Sequence, residues 1–168
     1  MKLTISGKVI KFGNNIDTDV ILPGPYLVHT DPKELAKHAM EGLDPKFPVK
    51  AVDGVIVVGG KNFGCGSSRE QAPIALKYSG VKCVLAESFA RIFYRNSITI
   101  GLPVLVCAGV SGKVKEGDEL VVNLQTGKVE DKANVLVFHA TKLPEFIMEI
   151  LNDGGLIEHL KRRSENNE

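Results

Sequence analysis

Residues 61–70, with the sequence KNFGCGSSRE, concentrate the groups in this chain that could do chemistry. The hydroxyls of Ser67 and Ser68 are followed at once by the guanidinium of Arg69. A guanidinium presents a planar fork of N–H donors that fits a carboxylate in a bidentate manner. Two glycines just before the serines allow a ligand to approach the backbone closely. The segment therefore predicts a carboxylate or phosphate site with a serine hydroxyl directed into it.

The flanking elements predict how this segment is presented. Residues 54–60 form a short apolar run typical of a buried strand, and residues 71–78 have the spacing of a short helix. Because Pro73 is tolerated only in a first turn, the helix should begin no earlier than about Ser68 or Arg69. The serines would then lie at a helix N-terminus, whose N–H groups favour an anion.

An alternative interpretation of the same residues needs no ligand. Ser-Ser before a helix is commonly an N-cap, and glycine-rich turns are common between strand and helix. The segment is not a P-loop, since no Gly-Lys-Ser/Thr follows, and a third glycine at dinucleotide spacing is missing. The residues alone leave an anion site and a structural turn open.

A second polar segment, residues 14–19 with the sequence NNIDTD, follows a predicted strand at residues 3–12. Two acids at positions i and i+2 of an extended segment, Asp17 and Asp19, would face the same way. Asp and Thr are also favoured in turns, where Asp17 would cap a turn and its neighbours would bond to nearby backbone. Both interpretations stay open here as well.

The remaining elements indicate an α/β protein. Strand and helix alternate as in a parallel sheet through residue 107, and turn-separated β-rich runs then predict a lobe of hairpins. Residues 24–30 and 42–48 are predicted loops, the first of them mobile, and Asp31 is a predicted N-cap of a helix through residue 39 or 40. Further predicted strands are 82–86, 101–107, 120–124, 128–130 and 135–138, and further helices are 89–96, 141–151 and 156–161. We expect one domain at 1–163 and a disordered polar tail at 164–168.

Composition excludes several classes of function. A net charge of +1 over 168 residues argues against a nucleic-acid partner. No apolar run reaches the length of a signal peptide or a membrane span, so a cytoplasmic protein is expected. Cys65, Cys83 and Cys107 are widely spaced, and the last two lie in apolar runs where cysteine acts as a small hydrophobe. No metal site is expected in this chain.

Three segments together resemble the aconitase superfamily. Residues 64–70, GCGSSRE, resemble its active-site serine segment, and residues 14–23, NNIDTDVILP, resemble the opening signature of its free-standing small subunits. Residues 86–96, AESFARIFYRN, resemble a third shared block. The resemblance covers nearly the whole chain and is to the archaeal small subunits shared by isopropylmalate isomerases (3-isopropylmalate dehydratases) and homoaconitases. It implies a swivelling β/β/α domain, equivalent to the mobile fourth domain of aconitase.

The resemblance also implies roles for individual residues. Ser67 is expected to be the catalytic base, and Asp19 is expected to help position the acid/base network. Ser68 and Arg69 would bind substrate carboxylates. Residues with a supporting structural role would be Asp17, Thr18, Gly64 and Gly66.

The loop at residues 26–30 implies a substrate preference. Homoaconitases carry an arginine in the resembling loop, which matches the extra carboxylate of their substrates, whereas this chain has Val28. A valine can bury an isopropyl group but leaves a third carboxylate unpaired, which is costly. His29 keeps the alternative open, since a protonated imidazole could pair with an acid.

The implied reaction is dehydration and rehydration of a small 2- or 3-hydroxy di- or tricarboxylic acid, here 2-isopropylmalate and 3-isopropylmalate in leucine biosynthesis. An iron–sulfur (4Fe-4S) cluster needs cysteine thiolates at a recognisable spacing, which this chain lacks. The cluster is therefore expected on a separate large subunit, with activity only in the complex. A homoaconitase small subunit and a non-catalytic tricarboxylate-binding module are the alternatives.

The resemblance does not assign a role to Gln71 or to the arginines at positions 91 and 95. Many relatives carry a histidine after Arg-Glu, where this chain has Gln71, whose amide cannot titrate. Arg91 and Arg95 share one face of the helix predicted at residues 89–96 and could reach a ligand or a partner subunit.

Overall fold

A mixed seven-stranded sheet forms the centre of the computed structural model, which describes residues 3–167. Its strands lie in the order β4-β3-β2-β1-β5-β6-β7. The first four are mutually parallel, and β5 to β7 continue the sheet beyond β1 as antiparallel neighbours. The strands are β1 (Thr4–Lys11), β2 (Val55–Gly59), β3 (Val81–Ala86), β4 (Val104–Val106), β5 (Glu119–Asn123), β6 (Lys128–Asp131) and β7 (Leu136–His139). The predicted parallel sheet and lobe of hairpins are confirmed.

Eight short helices cover the sheet in the described part of the chain. They are α1 (Thr18–Ile21), α2 (Pro32–Ala36), α3 (Phe47–Ala51), α4 (Gln71–Ser79), α5 (Arg91–Thr99), α6 (Val110–Lys113), α7 (Glu145–Asn152) and α8 (Leu156–Glu165). A 3-10 helical turn, Gly24–Val28, lies between α1 and α2.

Both faces of β2 are buried, which explains its continuous apolar run. Val55 and Val57 belong to one core cluster, which includes residues of α1 to α5 and α7. Ile56 and Val58 belong to a second cluster on the opposite face, which includes residues of β5 to β7 and α6. A strand buried on both faces loses the alternation of apolar and polar residues that a half-exposed strand has.

The helix after Asp31 is shorter than predicted. Asp31 is its N-cap, as predicted, and accepts a hydrogen bond from Lys33 N at 3.0 Å. The helix nevertheless ends at Ala36, and the chain continues in tighter turns, with His38 N bonded to Leu35 O and Ala39 N to Ala36 O, until Met40, at a φ of 59°, donates its N–H to Ile21 O at 2.7 Å. A tertiary contact therefore overrides local helix propensity in this segment.

Other boundaries also differ from the predictions. Helix α3 begins at Phe47, inside the predicted loop at 42–48, and α6 was not predicted. Helix α8 runs to Glu165, so the first two residues of the predicted disordered tail are helical, and Glu168 lies outside the described residues. The 3-10 turn occupies most of the predicted mobile loop at 24–30. The assignment of residues 1–163 to one domain stays a prediction.

The polar segments after β1 and β2 run side by side beyond the sheet. Backbone hydrogen bonds join Gly60 N to Gly13 O at 3.0 Å and Gly64 N to Ile16 O at 2.7 Å. The segment after β3 joins through Phe63, whose N–H donates to Ser88 O at 3.0 Å. Because carboxyl ends of parallel strands meet at one edge of a sheet, three segments distant in sequence converge there.

Candidate active site

The guanidinium of Arg69 joins three other parts of the site. Its Nε donates to Ser67 Oγ at 3.1 Å, and its Nη1 donates to Leu22 O at 2.9 Å. Nη2 forms an ion pair with Asp19 Oδ1. The Arg69 side chain is only 18% exposed, whereas that of Asp19 is 61% exposed. A mostly buried guanidinium with several partners holds one orientation, unlike a surface arginine.

Thr18 fixes the backbone of the serine segment. This residue is buried, and its Oγ1 donates to Ser67 O at 2.8 Å. Its backbone N–H donates to Cys65 O at 2.9 Å. The two bonds hold residues 65–67 against the start of α1, so the position of Ser67 is set by α1 as well as by its own turn.

Asp17 acts as an N-cap, one of the two interpretations open from the sequence. Its Oδ1 accepts from Asp19 N at 2.7 Å, and α1 begins at the next residue. The prediction that Asp17 and Asp19 belong to an extended segment is therefore wrong, because Thr18 and Asp19 are helical. Capping satisfies a backbone N–H that a helix start leaves unpaired.

The two glycines beside Cys65 are required by close contacts and by backbone conformation. A Cβ on Gly66 would lie 2.6 Å from Asp17 Oδ2, and the φ of Gly66 is +92°. A Cβ on Gly64 would lie 2.1 Å from Phe93 Cγ, at a φ of +82°. A side chain at position 66 would displace the Asp17 carboxylate, and one at position 64 would displace the ring of Phe93 in α5.

Helix α4 begins later than the serines. Its first residue is Gln71 and its N-cap is Glu70, whose side chain makes no capping hydrogen bond. The alternative that the two serines are N-cap residues is therefore wrong. Ser67 lies four residues before the helix, and the described hydrogen bond to its Oγ comes from Arg69 rather than from a helix N–H group.

A pocket of about 170 Å³ opens in front of these groups. Ser67, Ser68 and Arg69 line one side of it, and the start of α5 lines the other, with Arg91 and Asn96. Both serines are exposed. Arg95, which shares a helix with Arg91, lines a neighbouring pocket beside Phe89 instead. The structure thus brings one of the two arginines of α5 to the candidate site.

Val28 and His29 lie at the end of the 3-10 turn. Val28 is 80% exposed, and the ring of half-buried His29 stacks beside that of His38 with centroids 6.1 Å apart. The turn begins two residues after Leu22, whose carbonyl binds Arg69. The start of the turn is therefore next to a residue that contacts Arg69, but neither Val28 nor His29 lines the pocket in front of Ser67.

The cysteines of this chain do not fit an iron–sulfur cluster. Burial raises the pKa of the Cys83 thiol and of the Cys107 thiol to about 12, which opposes thiolate formation. Cys65 is half-buried and lies apart from them in the glycine turn. Within residues 3–167 no group of three or more His, Cys, Asp and Glu side chains is arranged to hold a metal ion. The same residues include no helix with the length and apolarity needed to cross a bilayer.

Together the fold and the site define a mixed α/β domain that presents a serine–arginine pair at the carboxyl ends of parallel strands. The model of the aconitase C-terminal domain family matches residues 8–108, which is more than half of the chain. The chain belongs to the aconitase C-terminal domain family. The resemblance found in the sequence and the swivelling β/β/α fold that it implied are confirmed.

Named relatives match nearly the whole chain. It is 60% identical to the isopropylmalate/citramalate isomerase small subunit of Methanocaldococcus jannaschii, over 97% of this chain and 97% of that protein. It is 52% identical to the 3-isopropylmalate dehydratase small subunit of Halothermothrix orenii, over 95% and 96% respectively. The crystal structure of a 3-isopropylmalate dehydratase from Methanocaldococcus jannaschii superposes with a TM-score of 0.92 at 45% identity, covering 98% of this chain and 97% of that one.

Proposed function

We propose that this chain is the small subunit of a 3-isopropylmalate dehydratase, which isomerises 2-isopropylmalate and 3-isopropylmalate by dehydration and rehydration. The observation that carries the proposal is the hydrogen bond from Arg69 Nε to Ser67 Oγ. The names of relatives at 52–60% identity over nearly the full chain support it.

Ser67 is the proposed base for the carbon-bound proton. A serine hydroxyl is a weak base, but a guanidinium N–H directed at Oγ stabilises the negative charge of the alkoxide. A guanidinium has N–H donors and no acceptor, so Arg69 can only donate to Oγ. The Oγ alkoxide takes the carbon-bound proton during dehydration and becomes the hydroxyl, which returns a proton to the alkene acid during rehydration and so regenerates the alkoxide.

Arg69 has donors left for the substrate. A guanidinium carries five N–H groups, of which one each binds Ser67, Leu22 and Asp19 within residues 3–167. One N–H on each Nη therefore remains for a substrate carboxylate. Ser68, on the same wall of the pocket, is the proposed second carboxylate ligand. The ion pair with Asp19, which lies on the solvent side of Arg69, keeps the guanidinium in its orientation.

The proposed complex divides the reaction between two chains. The iron–sulfur cluster is assigned to a large subunit, where it would be the Lewis acid for the leaving hydroxide, because residues 3–167 of this chain offer no group of three or more side chains arranged to hold a metal. Activity is expected only in the complex. A cytoplasmic location, without a nucleic-acid or membrane partner, accompanies this function.

Val28 is proposed to contact the variable group of the substrate. Its exposed isopropyl side chain complements an alkyl group and offers no charge to a third carboxylate. The alternative activity, isomerisation of homocitrate as in homoaconitases, would need a cation at this position, and His29 is the available candidate. Citramalate is a further substrate to compare, since the name of a relative includes it.

Anaerobic turnover by the cluster-loaded large subunit, with this chain and without it, tests the proposed function. We expect turnover of isopropylmalate only when both chains are present, and no comparable turnover of homocitrate. The matched variant Val28→Arg is expected to lose activity on isopropylmalate and gain it on homocitrate. Preference of the unaltered complex for homocitrate would contradict the substrate assignment. Complex formation and ligand binding without turnover of any substrate would favour a non-catalytic binding module.

A further inference from the structure

Three side chains form a hydrogen-bonded and stacked cluster beneath the turn that carries Val28. The Tyr26 hydroxyl donates to Glu41 Oε1 at 2.8 Å, and Glu41 Oε2 lies 2.7 Å from His38 Nδ1. The rings of Tyr26 and His38 stack with centroids 3.6 Å apart and an interplanar angle of 5°. One carboxylate therefore holds both members of a stacked pair.

The cluster orders a turn that is apolar on both sides. Tyr26 and Leu27 are partly buried against the core cluster, whereas Val28 is 80% exposed. A single exposed valine needs no explanation by itself. This one, however, sits on a turn whose preceding residues are fixed by core packing and by a carboxylate, so its direction is set before any ligand binds.

Glu41 is also tied to the helix that carries Asp19. The residue before it, Met40, donates its N–H to Ile21 O at 2.7 Å, and the residue after it, Gly42, donates to Val20 O at 3.2 Å. Val20 and Ile21 belong to α1. Glu41, whose carboxylate holds the turn, therefore lies between two residues that are hydrogen-bonded to α1.

We propose that Glu41 is a positioning residue that sets substrate specificity by holding the turn Gly24–Val28, and with it Val28, in a fixed relation to α1. This inference rests on the proposed function, in which Val28 contacts the variable group of the substrate. The Tyr26 hydroxyl, and to a lesser degree His38, hold the pKa of the Glu41 carboxyl below its usual range against the opposing effect of burial. Near neutral pH the carboxylate is ionised and accepts from both partners.

Steady-state kinetics of Glu41→Ala in the complex test the proposal. We expect KM for isopropylmalate to rise about tenfold and the preference over citramalate to fall by a similar factor, with kcat changed less than about twofold. Tyr26→Phe, which keeps the stacked ring, should reproduce most of the effect and add little to Glu41→Ala. Glu41→Gln can still accept from Tyr26 and should restore most of the discrimination. Glu130→Ala is the matched control, since that carboxylate pairs with Lys128 in the hairpin lobe.

A second measurement separates this inference from the proposed function. Chymotrypsin cleavage after Tyr26 or Leu27 in the free chain needs no substrate, and we expect it to be several-fold faster in Glu41→Ala than in Glu130→Ala. Unchanged cleavage, or unchanged KM and discrimination in an active complex, would overturn the role of Glu41. Faster cleavage of the free Glu41→Ala chain, together with no turnover of isopropylmalate by the unaltered complex, would refute the proposed function, and with it the specificity role, while leaving the structural role of Glu41 in place.

Discussion

The two ends of the parallel strands differ in what their polar side chains contact. At the carboxyl end, Arg69 Nε donates to the Ser67 hydroxyl, in addition to bonds from Arg69 and Thr18 to backbone carbonyls. At the amino end, Lys77 Nζ donates to Ile100 O at 2.7 Å, and Lys82 Nζ donates to a carbonyl of β1 at 2.8 Å. The cavity at the amino end is nevertheless the larger of the two, about 660 Å³ against about 170 Å³.

The difference shows that cavity volume alone does not locate the candidate catalytic site. The ammonium groups at the amino end are paired with backbone carbonyls, which stabilise the ends of elements but do not react. Burial lowers the pKa of Lys77, yet its hydrogen bonds tie α4 to the end of α5. At the carboxyl end a permanent cation is directed at a side-chain hydroxyl. Open α/β sheets bind ligands at this end, where loops converge.

Replacing the Arg69 guanidinium by an ammonium group should have the largest effect among three substitutions that sharpen this comparison. Arg69→Lys keeps the charge but cannot reach Ser67, Leu22 and Asp19 together. Loss of two charge-assisted hydrogen bonds, about 3 kcal/mol, predicts a fall in kcat/KM of roughly a hundredfold. Steady-state kinetics of the complex provide the measurement, and Arg95→Lys, in the neighbouring pocket, is the control. A fall in kcat/KM of less than about threefold would mean that the planar, forked shape of the guanidinium is unimportant.

An added methyl group at Gly66 should have a smaller effect on both stability and activity. Gly66→Ala places Cβ against the Asp17 carboxylate at a positive φ, which predicts a loss of roughly 1–3 kcal/mol of unfolding free energy. Displacement of the serine segment should also lower kcat/KM by about tenfold. Chemical denaturation and kinetics measure the two effects. Gly112→Ala, whose Cβ would meet no atom within 4 Å, should leave activity unchanged and, since Gly112 is helical, raise stability by up to about 1 kcal/mol. Equal behaviour of the two variants would show that the turn at Gly66 tolerates a side chain.

The smallest effect on activity is expected at the amino end. Lys77→Met removes the bonds to Ile100 O and Gly154 O, which predicts a loss of about 1 kcal/mol and a drop in Tm of about 2–4 °C. Turnover by the complex should stay within about twofold of the unaltered chain. A large loss of turnover at unchanged Tm would instead assign a functional site to the amino end.

Local patterns were sufficient to predict most elements of the fold. β2 is a continuous apolar run because both of its faces are buried, and α4 ends where Gly80 adopts a φ of +122°. An apolar run and a glycine at a helix end can both be recognised from neighbouring residues alone. The end of α2 could not be predicted in this way, because it depends on the contact of Met40 with Ile21 O, nineteen residues earlier in the chain.

The same distinction applies to the candidate site. The side chains of Ser67 and Arg69 have a recognisable order in the sequence, and they were found from it. The carbonyl of Leu22, which orients Arg69 from 47 positions away, has no sequence signal because every residue carries a carbonyl. The contact of Tyr26 with Glu41 was missed for a related reason, since it joins a predicted loop to the end of a helix that proved shorter.

Ser67 is the proposed group that takes the substrate proton, and its replacement gives the most direct test. Single-turnover kinetics and substrate binding should be measured together for the complex that contains Ser67→Ala, with Ser68→Ala as the matched hydroxyl deletion. We predict that Ser67→Ala binds isopropylmalate within about threefold of the unaltered complex while its rate falls by roughly 10³-fold or more. Ser68→Ala should weaken binding more than it slows the chemical step. A Ser67→Ala complex that retains its rate within about tenfold would contradict the assignment of the base and, with it, the catalytic role of the carboxyl-end pocket.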